Sequence, residues 1–263
     1  MNINKNLAIS AVIITKNEEK IISQCLESLY FCNEIVVLDS FSTDNTEEIC
    51  SKYNVKFFKQ EFLGFGKQKE KALSFATNPW ILSLDADEVI TPMLAKEIQK
   101  VLLSPETYAF FVPRTLVFMG HTLLFCGENK RPVLRLFHKD YFGFDQAIVH
   151  EEVISKFPSD KSKNSIKNLS SEILHYSYKD WSDYIEKMNL YTGKMAIKAL
   201  NRRAVKMKIK AFKPSIRFLS TFFKIYILKL GFLDGISGLN WSITCAYANF
   251  LKYAKVNEIL SKK

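Results

Sequence analysis

The chain has 263 residues, a formal net charge of +10, 48% hydrophobic and 24% charged residues. That is globular composition at a length that buries a sizeable core, and it excludes disordered, collagen-like and low-complexity chains. The charge is divided: residues 1–111 carry 11 Lys and 15 Asp/Glu, a net of −4, and residues 112–263 carry 26 Lys/Arg and 12 Asp/Glu, a net of +14.

Ala8–Ile14 (AISAVII) is apolar and β-branched, the pattern of a strand buried in a parallel sheet. Thr15 and Glu18 have capping-box spacing ahead of a helix that places Ile21, Ile22, Cys25, Leu26 and Leu29 on one face. Ile35–Leu38 reads as the second strand and ends at Asp39. Ser42-Thr43-Asp44 opens a short helix, with Asp44 as a cap rather than a ligand. Val55–Phe58 is a third strand, and a helix follows over about 66–76. Trp80–Leu84 (WILSL) is a fourth strand that ends in Asp85-Ala86-Asp87. Thr91-Pro92 opens the next helix, a cap residue followed by Pro at the first helical position. This alternation predicts a doubly wound α/β sheet. Ligands bind such sheets beyond the carboxyl ends of the strands. Thr15, Asp39, Asp85 and Asp87 all follow predicted strands and are expected along one edge.

Two carboxylates one residue apart at a strand end can share a hard cation, Mg2+ or Mn2+, whose shell substrate phosphates complete. A solvated turn is the alternative; alignment with two other strand ends favours the cation. Asp39 can accept hydrogen bonds from a nucleobase or ribose. Gly64-Phe65-Gly66-Lys67-Gln68-Lys69-Glu70-Lys71 puts cations at the start of a helix, where phosphate can bind, or forms a turn before an exposed Lys-rich face. The acids of VHEEV, Glu151 and Glu152, lie between apolar residues, so one of them can serve as a base with a raised pKa or simply sit on a strand edge. His175 in ILHYSY is a metal ligand or a core histidine. HxxxH and HExxH are absent, so a zinc hydrolase has no support.

Twelve basic residues and no acid occur from Lys187 to Lys229. Within this stretch Lys213, Arg217 and Lys224 fall within about 40° of one another at helical spacing. Such a helix suits the headgroup layer of an anionic leaflet, or packs on the rest of the protein with its basic stripe in water. No nucleic-acid-binding motif accompanies the charge, so nucleic acid is not an expected partner. Five dispersed cysteines without CxxC predict reduced thiols. The amino-terminal residues lack the apolar run of a secretory signal, and the longest uncharged stretch, Gly235–Leu251, is short for a spanning helix.

The ordered blocks AVIITKNEEKIISQCLESL, IVVLDSFSTDNT and WILSLDADE, over roughly residues 8–110, resemble the nucleotide-sugar half of family 2 glycosyltransferases with the GT-A fold. The later blocks RLFHKD, VHEEV, ILHYSYKDWSDYIEKMN and GFLDGISGLNWS narrow the likeness. They resemble lipopolysaccharide-core glycosyltransferases of the WaaE/KdtX type and extend the match along almost the whole chain.

The resemblance implies a Rossmann-like, mostly parallel GT-A domain over residues 1–180 and a basic amphipathic helical region over 181–263 that faces membrane and acceptor. It puts Thr15, Asn17 and Glu18 in the first nucleotide-binding loop and Asp39 against base or ribose. Gln68 and Lys71 fall in the loop-helix over the nucleotide-sugar. Asp85 and Asp87 become the DxD pair, with direct metal contact at Asp87, and His175 matches a histidine that ligates the metal in some GT-A enzymes. Glu151 takes the place of the catalytic base; the pattern is HEE rather than the common ED, so Glu152 competes for the role. The implied reaction is an inverting, Mg2+- or Mn2+-dependent transfer of glucose from UDP-glucose to an inner-core heptose of lipopolysaccharide, by a cytoplasmic enzyme held peripherally at the inner membrane. Relatives of this fold also act on other surface glycans or lipid acceptors. A nucleotidyltransferase would carry a Gly-rich basic loop where this chain has TKNEEK, and a non-catalytic sugar-nucleotide-binding module would not need the DxD and HE acids.

Overall fold

The computed structural model describes residues 8–103, 105, 107–145, 152–156, 166–178, 180–201 and 214–262. The chain forms two compact units. One comprises Met1–Thr115 and Lys130–Tyr176, the other Leu116–Asn129 and Ser177–Lys263.

The first unit begins as β1 (Ile9–Thr15), α1 (Ile22–Glu27), β2 (Glu34–Asp39), α2 (Thr46–Cys50), β3 (Lys56–Lys59), α3 (Phe65–Leu73) and β4 (Trp80–Asp85). Strands β3, β2, β1 and β4 lie side by side in that order, all parallel. Beyond β4 the sheet continues through β8 (Arg131–His138), β6 (Ala109–Phe118), β12 (Ile173–His175) and β5 (Glu88–Ile90), with β4/β8, β8/β6 and β12/β5 antiparallel. The short strand β11 (Ile166–Asn168) joins β6, and β9 (Phe142–Phe144) pairs separately with β10 (Val153–Ser155).

Both faces of β1 are buried, which is why its sequence is continuously apolar rather than alternating. Ile9, Ala11 and Ile13 pack with Ile22, Cys25 and Leu26 of α1 and with Leu94, Ala95 and Ile98 of α4 (Pro92–Leu102). On the other face Val12 meets Val36 and Leu38 of β2, Ala72 and Leu73 of α3, and Phe142. Complete burial of each large aliphatic side chain contributes roughly 1.5–3 kcal/mol, so β1 anchors the sheet from both sides. The Thr91 hydroxyl accepts from the Leu94 amide at 3.3 Å and Pro92 sits at the first helical position, as expected.

The expected capping box at Thr15 and Glu18 does not form. Thr15 is the last residue of β1, and α1 starts later, at Ile22, without a side-chain cap. The Glu18 amide instead donates to the Thr46 hydroxyl at 2.8 Å, so tertiary pairing of two loops replaces local capping. Helix α3 starts at Phe65 behind Gly64, whose φ of 93° and ψ of 152° suit a residue without Cβ.

The second unit holds β7 (His121–Thr122), α5 (Trp181–Asn201), α6 (Pro214–Phe223), a π-helical turn (Lys224–Leu228), a 3-10 turn (Gly231–Asp234) and α7 (Gly235–Ser261). Helix α7 packs along both α5 and α6. Its core is aromatic: the Phe118 ring lies 5.1 Å from Trp241, 5.6 Å from Trp181 and 5.8 Å from Tyr184, centroid to centroid. All five cysteines are free thiols. Among the described residues no helix is long and apolar enough to cross a membrane.

Candidate active site

Sheet register brings the strand ends together. Thr15 is paired with Asp39 across β1 and β2, and Ile14 with Asp85 across β1 and β4. Asp39 and Asp85 therefore flank β1, about 10 Å apart at normal strand spacing. Thr15 is buried, and its hydroxyl has no hydrogen-bond partner among the described residues.

The loops after β1 and β2 are tied to each other. The Asn17 amide donates to the Ser42 hydroxyl at 2.8 Å, and the Asn17 side-chain oxygen accepts from the Thr43 amide at 2.8 Å. Asn17 holds φ at 56°, a conformation that Asn tolerates better than most residues. Asp44 accepts from the amide of Thr46, at the start of α2, and from the amide of Glu19, both at 3.1 Å. Asp39 is 1% exposed; its two oxygens accept from the amide and hydroxyl of Ser42 at 2.8 and 2.5 Å. A carboxylate offers about four lone-pair sites, so acceptor capacity remains on Asp39. Gln68 is fully buried and bridges this region, donating to the Ser40 hydroxyl at 3.2 Å and the Gln60 carbonyl at 3.4 Å. Lys71 is exposed and lies 5.0 Å from the Phe75 ring centroid.

Asp85 ends β4 inside a cluster of charges. Lys69 Nζ is 2.7 Å from one carboxylate oxygen, and Arg135 Nη2 is 2.5 Å from the other. The same Arg135 nitrogen donates to Glu88 at 2.6 Å, and Arg114 reaches Glu88 at 3.2 Å. Glu88 also accepts from the Asp85 amide at 3.1 Å. Lys69, Glu88 and Arg135 are all buried, which is tolerable only because each meets opposite charge. Helical spacing explains Lys69, which shares the inner face of α3 with Ala72 and Leu73. Burial opposes the charged form of Asp85, but Arg135 and then Lys69 outweigh it and hold the carboxyl well below its usual range.

Asp87 and His175 meet beside this cluster. β12 pairs with β5 so that His175 stands opposite Glu88, and the Tyr176 amide donates to the Asp87 carbonyl at 2.8 Å. Nε2 of His175 lies 3.3 Å from the Asp87 carboxylate. Burial alone would lower the His175 pKa; Asp87 outweighs it and raises the pKa.

Among the described residues no three His, Cys, Asp or Glu side chains gather as a ligand set. Asp87 and His175 nevertheless suit one divalent ion. Two ligands about 2.1 Å from an octahedral ion and at right angles stand about 3.0 Å apart. Asp85 already accepts from Lys69 and Arg135, one on each oxygen, whereas Asp87 and His175 offer an oxygen and a nitrogen side by side. Glu151 lies outside the described residues. Glu152 is exposed, with its backbone paired to Asp145 at the start of β10.

Four members of the charge cluster, Lys69, Glu88, Arg114 and Arg135, are not expected as partners of the paired acids from sequence. Faint signals exist for three. Lys69 lies in the basic run after Gly64, Glu88 follows Asp85-Ala86-Asp87, and Arg135 opens RLFHKD.

The Glycosyl transferase family 2 profile matches residues 10–152. The chain is 30% identical to an uncharacterized glycosyltransferase of Rickettsia conorii, over 97% of this chain and 92% of the relative. It is 29% identical to the lipopolysaccharide core biosynthesis glycosyltransferase LpsC of Rhizobium meliloti, over 95% and 92%. Among solved structures it resembles S. aureus TarS 1-349 in complex with UDP-GlcNAc, with a TM-score of 0.47 and 17% identity over 97% of this chain and 91% of that one. The profile covers more than half of the chain and the relatives nearly all of it: this protein belongs to glycosyl transferase family 2 and is a glycosyltransferase.

Proposed function

We propose that the protein transfers a hexose, glucose from UDP-glucose, to an inner-core heptose of lipopolysaccharide at the cytoplasmic face of the inner membrane, with inversion and with Mg2+ or Mn2+. The observation that carries this reading is the convergence of Asp39, Asp85, Asp87 and His175 at the carboxyl edge of the sheet in a chain of this family. The acceptor class is supported by the name of the LpsC relative, and glucose by the motif resemblance.

In this reading Asp39 uses its remaining lone pairs on the ribose or base, and the tied loops 16–19 and 40–46 form the wall beside it. Lys69 and Arg135 fix the Asp85 carboxylate, which keeps the turn carrying Asp87 in place. Asp87 and His175 hold the divalent cation, which when bound supplies positive charge to the departing diphosphate. Glu151 takes the proton from the acceptor hydroxyl. The acceptor oxygen then bonds to the anomeric carbon as the sugar–diphosphate bond breaks on the opposite face, releasing UDP.

The test is mass spectrometry of products from a panel of nucleotide sugars and truncated lipopolysaccharide acceptors. A mass increase of one hexose on a heptose-terminated acceptor with UDP-glucose is expected. Transfer from no donor, despite intact UDP binding, would contradict the catalytic reading.

A further inference from the structure

From Lys187 to Asn257 the sequence contains a single acid, Asp234. Asp234 is 6% exposed, and its two carboxylate oxygens accept from the amides of Leu124 and Phe125 at 3.0 and 2.9 Å. The described surface of this stretch therefore presents cations without exposed carboxylates. Over the same stretch, α6 and the π-helical turn contain no buried residue, although most of their side chains are apolar. Leu219, Leu228 and Ile236 are 65%, 67% and 70% exposed, and Phe223, Phe232 and Leu233 are exposed with them. A helix that served only to pack on its own protein would hide its apolar face. Here Ile225 packs on the aromatic core, while Leu219, Phe223, Ile227 and Leu228 face water, interleaved with exposed Lys224 and Lys229.

The tip is built rather than loose. A Cβ on Gly238 would fall 1.9 Å from the Gly231 carbonyl oxygen, so the first turn of α7 rests directly on the backbone of the 3-10 turn. With the Asp234 bonds, this fixes the backbone that carries Phe232, Leu233 and Ile236 and so lowers the ordering cost of binding.

We propose that residues 216–236 are the surface by which this protein seats on an anionic lipid bilayer. The apolar side chains enter the boundary between headgroups and acyl chains, and Lys224 and Lys229 meet lipid phosphates. Charge selects this occupant: a second copy of the same patch would set these lysines against their own counterparts, whereas an anionic leaflet offers opposite charge beside apolar chains. The proposal deepens the functional reading in one respect, a lipid-borne acceptor, but vesicle binding requires neither donor nor transfer.

The full chain is sedimented with phosphatidylglycerol/phosphatidylethanolamine vesicles and with phosphatidylcholine vesicles. Binding to the anionic vesicles is expected, weaker on phosphatidylcholine and reduced by salt. Lys224→Glu with Lys229→Glu weakens it by roughly tenfold or more. Leu228→Asp with Leu233→Asp weakens it on both vesicle types. Leu228→Trp keeps binding, and its fluorescence is quenched by brominated acyl chains. Three results overturn the proposal: no anionic-vesicle binding by the wild type, unchanged binding by either double variant, or a wild-type dimer that the Leu228/Leu233 variant dissociates while vesicle binding is absent. Vesicle binding retained alongside failed UDP binding counts against the functional reading alone.

Discussion

Arg135 Nη2 lies 2.5 Å from the Asp85 carboxylate, although the two residues are fifty positions apart in the chain. This contact makes the first acid of the DxD sequence part of a buried ion cluster. Arg135→Met keeps much of the side-chain volume but leaves Asp85 and Glu88 short of one counter-charge. Loss of one partner from a buried pair costs about 3–5 kcal/mol. Urea unfolding should show a loss of that size; a variant within about 1 kcal/mol of wild type would mean that the cluster is solvated or dispensable.

Glu151→Gln should lower turnover by about 10²–10⁴-fold while leaving UDP affinity unchanged, because a general base acts on the acceptor proton and not on donor binding. Steady-state rates with a saturating donor check this. Turnover at the wild-type level in Glu151→Gln, with collapse in Glu152→Gln, would move the base one residue along.

Glu34 gives the stability a pH dependence. Burial raises its pKa, but hydrogen bonds from Lys56, Ser10 and Thr77 outweigh it and bring the carboxyl down to about 2. The folded pKa lies below the unfolded one, so this stabilisation is present above the ordinary carboxylate range and is lost as pH falls toward about 2. Its full size is on the order of 3 kcal/mol. Wild type should exceed Glu34→Gln by that order at pH 7, and the gap should close on acidification. A gap that stays constant down to pH 2 would contradict the assignment.

Sequence periodicity makes the parallel half of the sheet legible. Continuous apolar runs mark β1, β2 and β4, and their last residues, Thr15, Asp39 and Asp85, end within one residue of one another in register. Thr91-Pro92 is legible because its cap is made three residues away. The antiparallel half is not, since β5 and β12 are three residues each and are defined by their pairing rather than by a pattern. The charge cluster escapes the reading for a related reason: Lys69, Arg135 and Glu88 come from a helix and two strands, and only tertiary contact joins them. The Thr15–Glu18 spacing misleads because a distant partner, Thr46, takes the amide that a local cap would have used.

The most direct measurement for the donor site is calorimetric titration of UDP into wild type and Asp87→Ala, each with and without Mn2+. Mn2+ should tighten UDP binding to wild type, and Asp87→Ala should abolish this gain while keeping the folded baseline, with His175→Ala reducing the gain by roughly tenfold, about 1.4 kcal/mol. An undiminished Mn2+-dependent gain in Asp87→Ala would contradict the placement of the cation at Asp87 and His175.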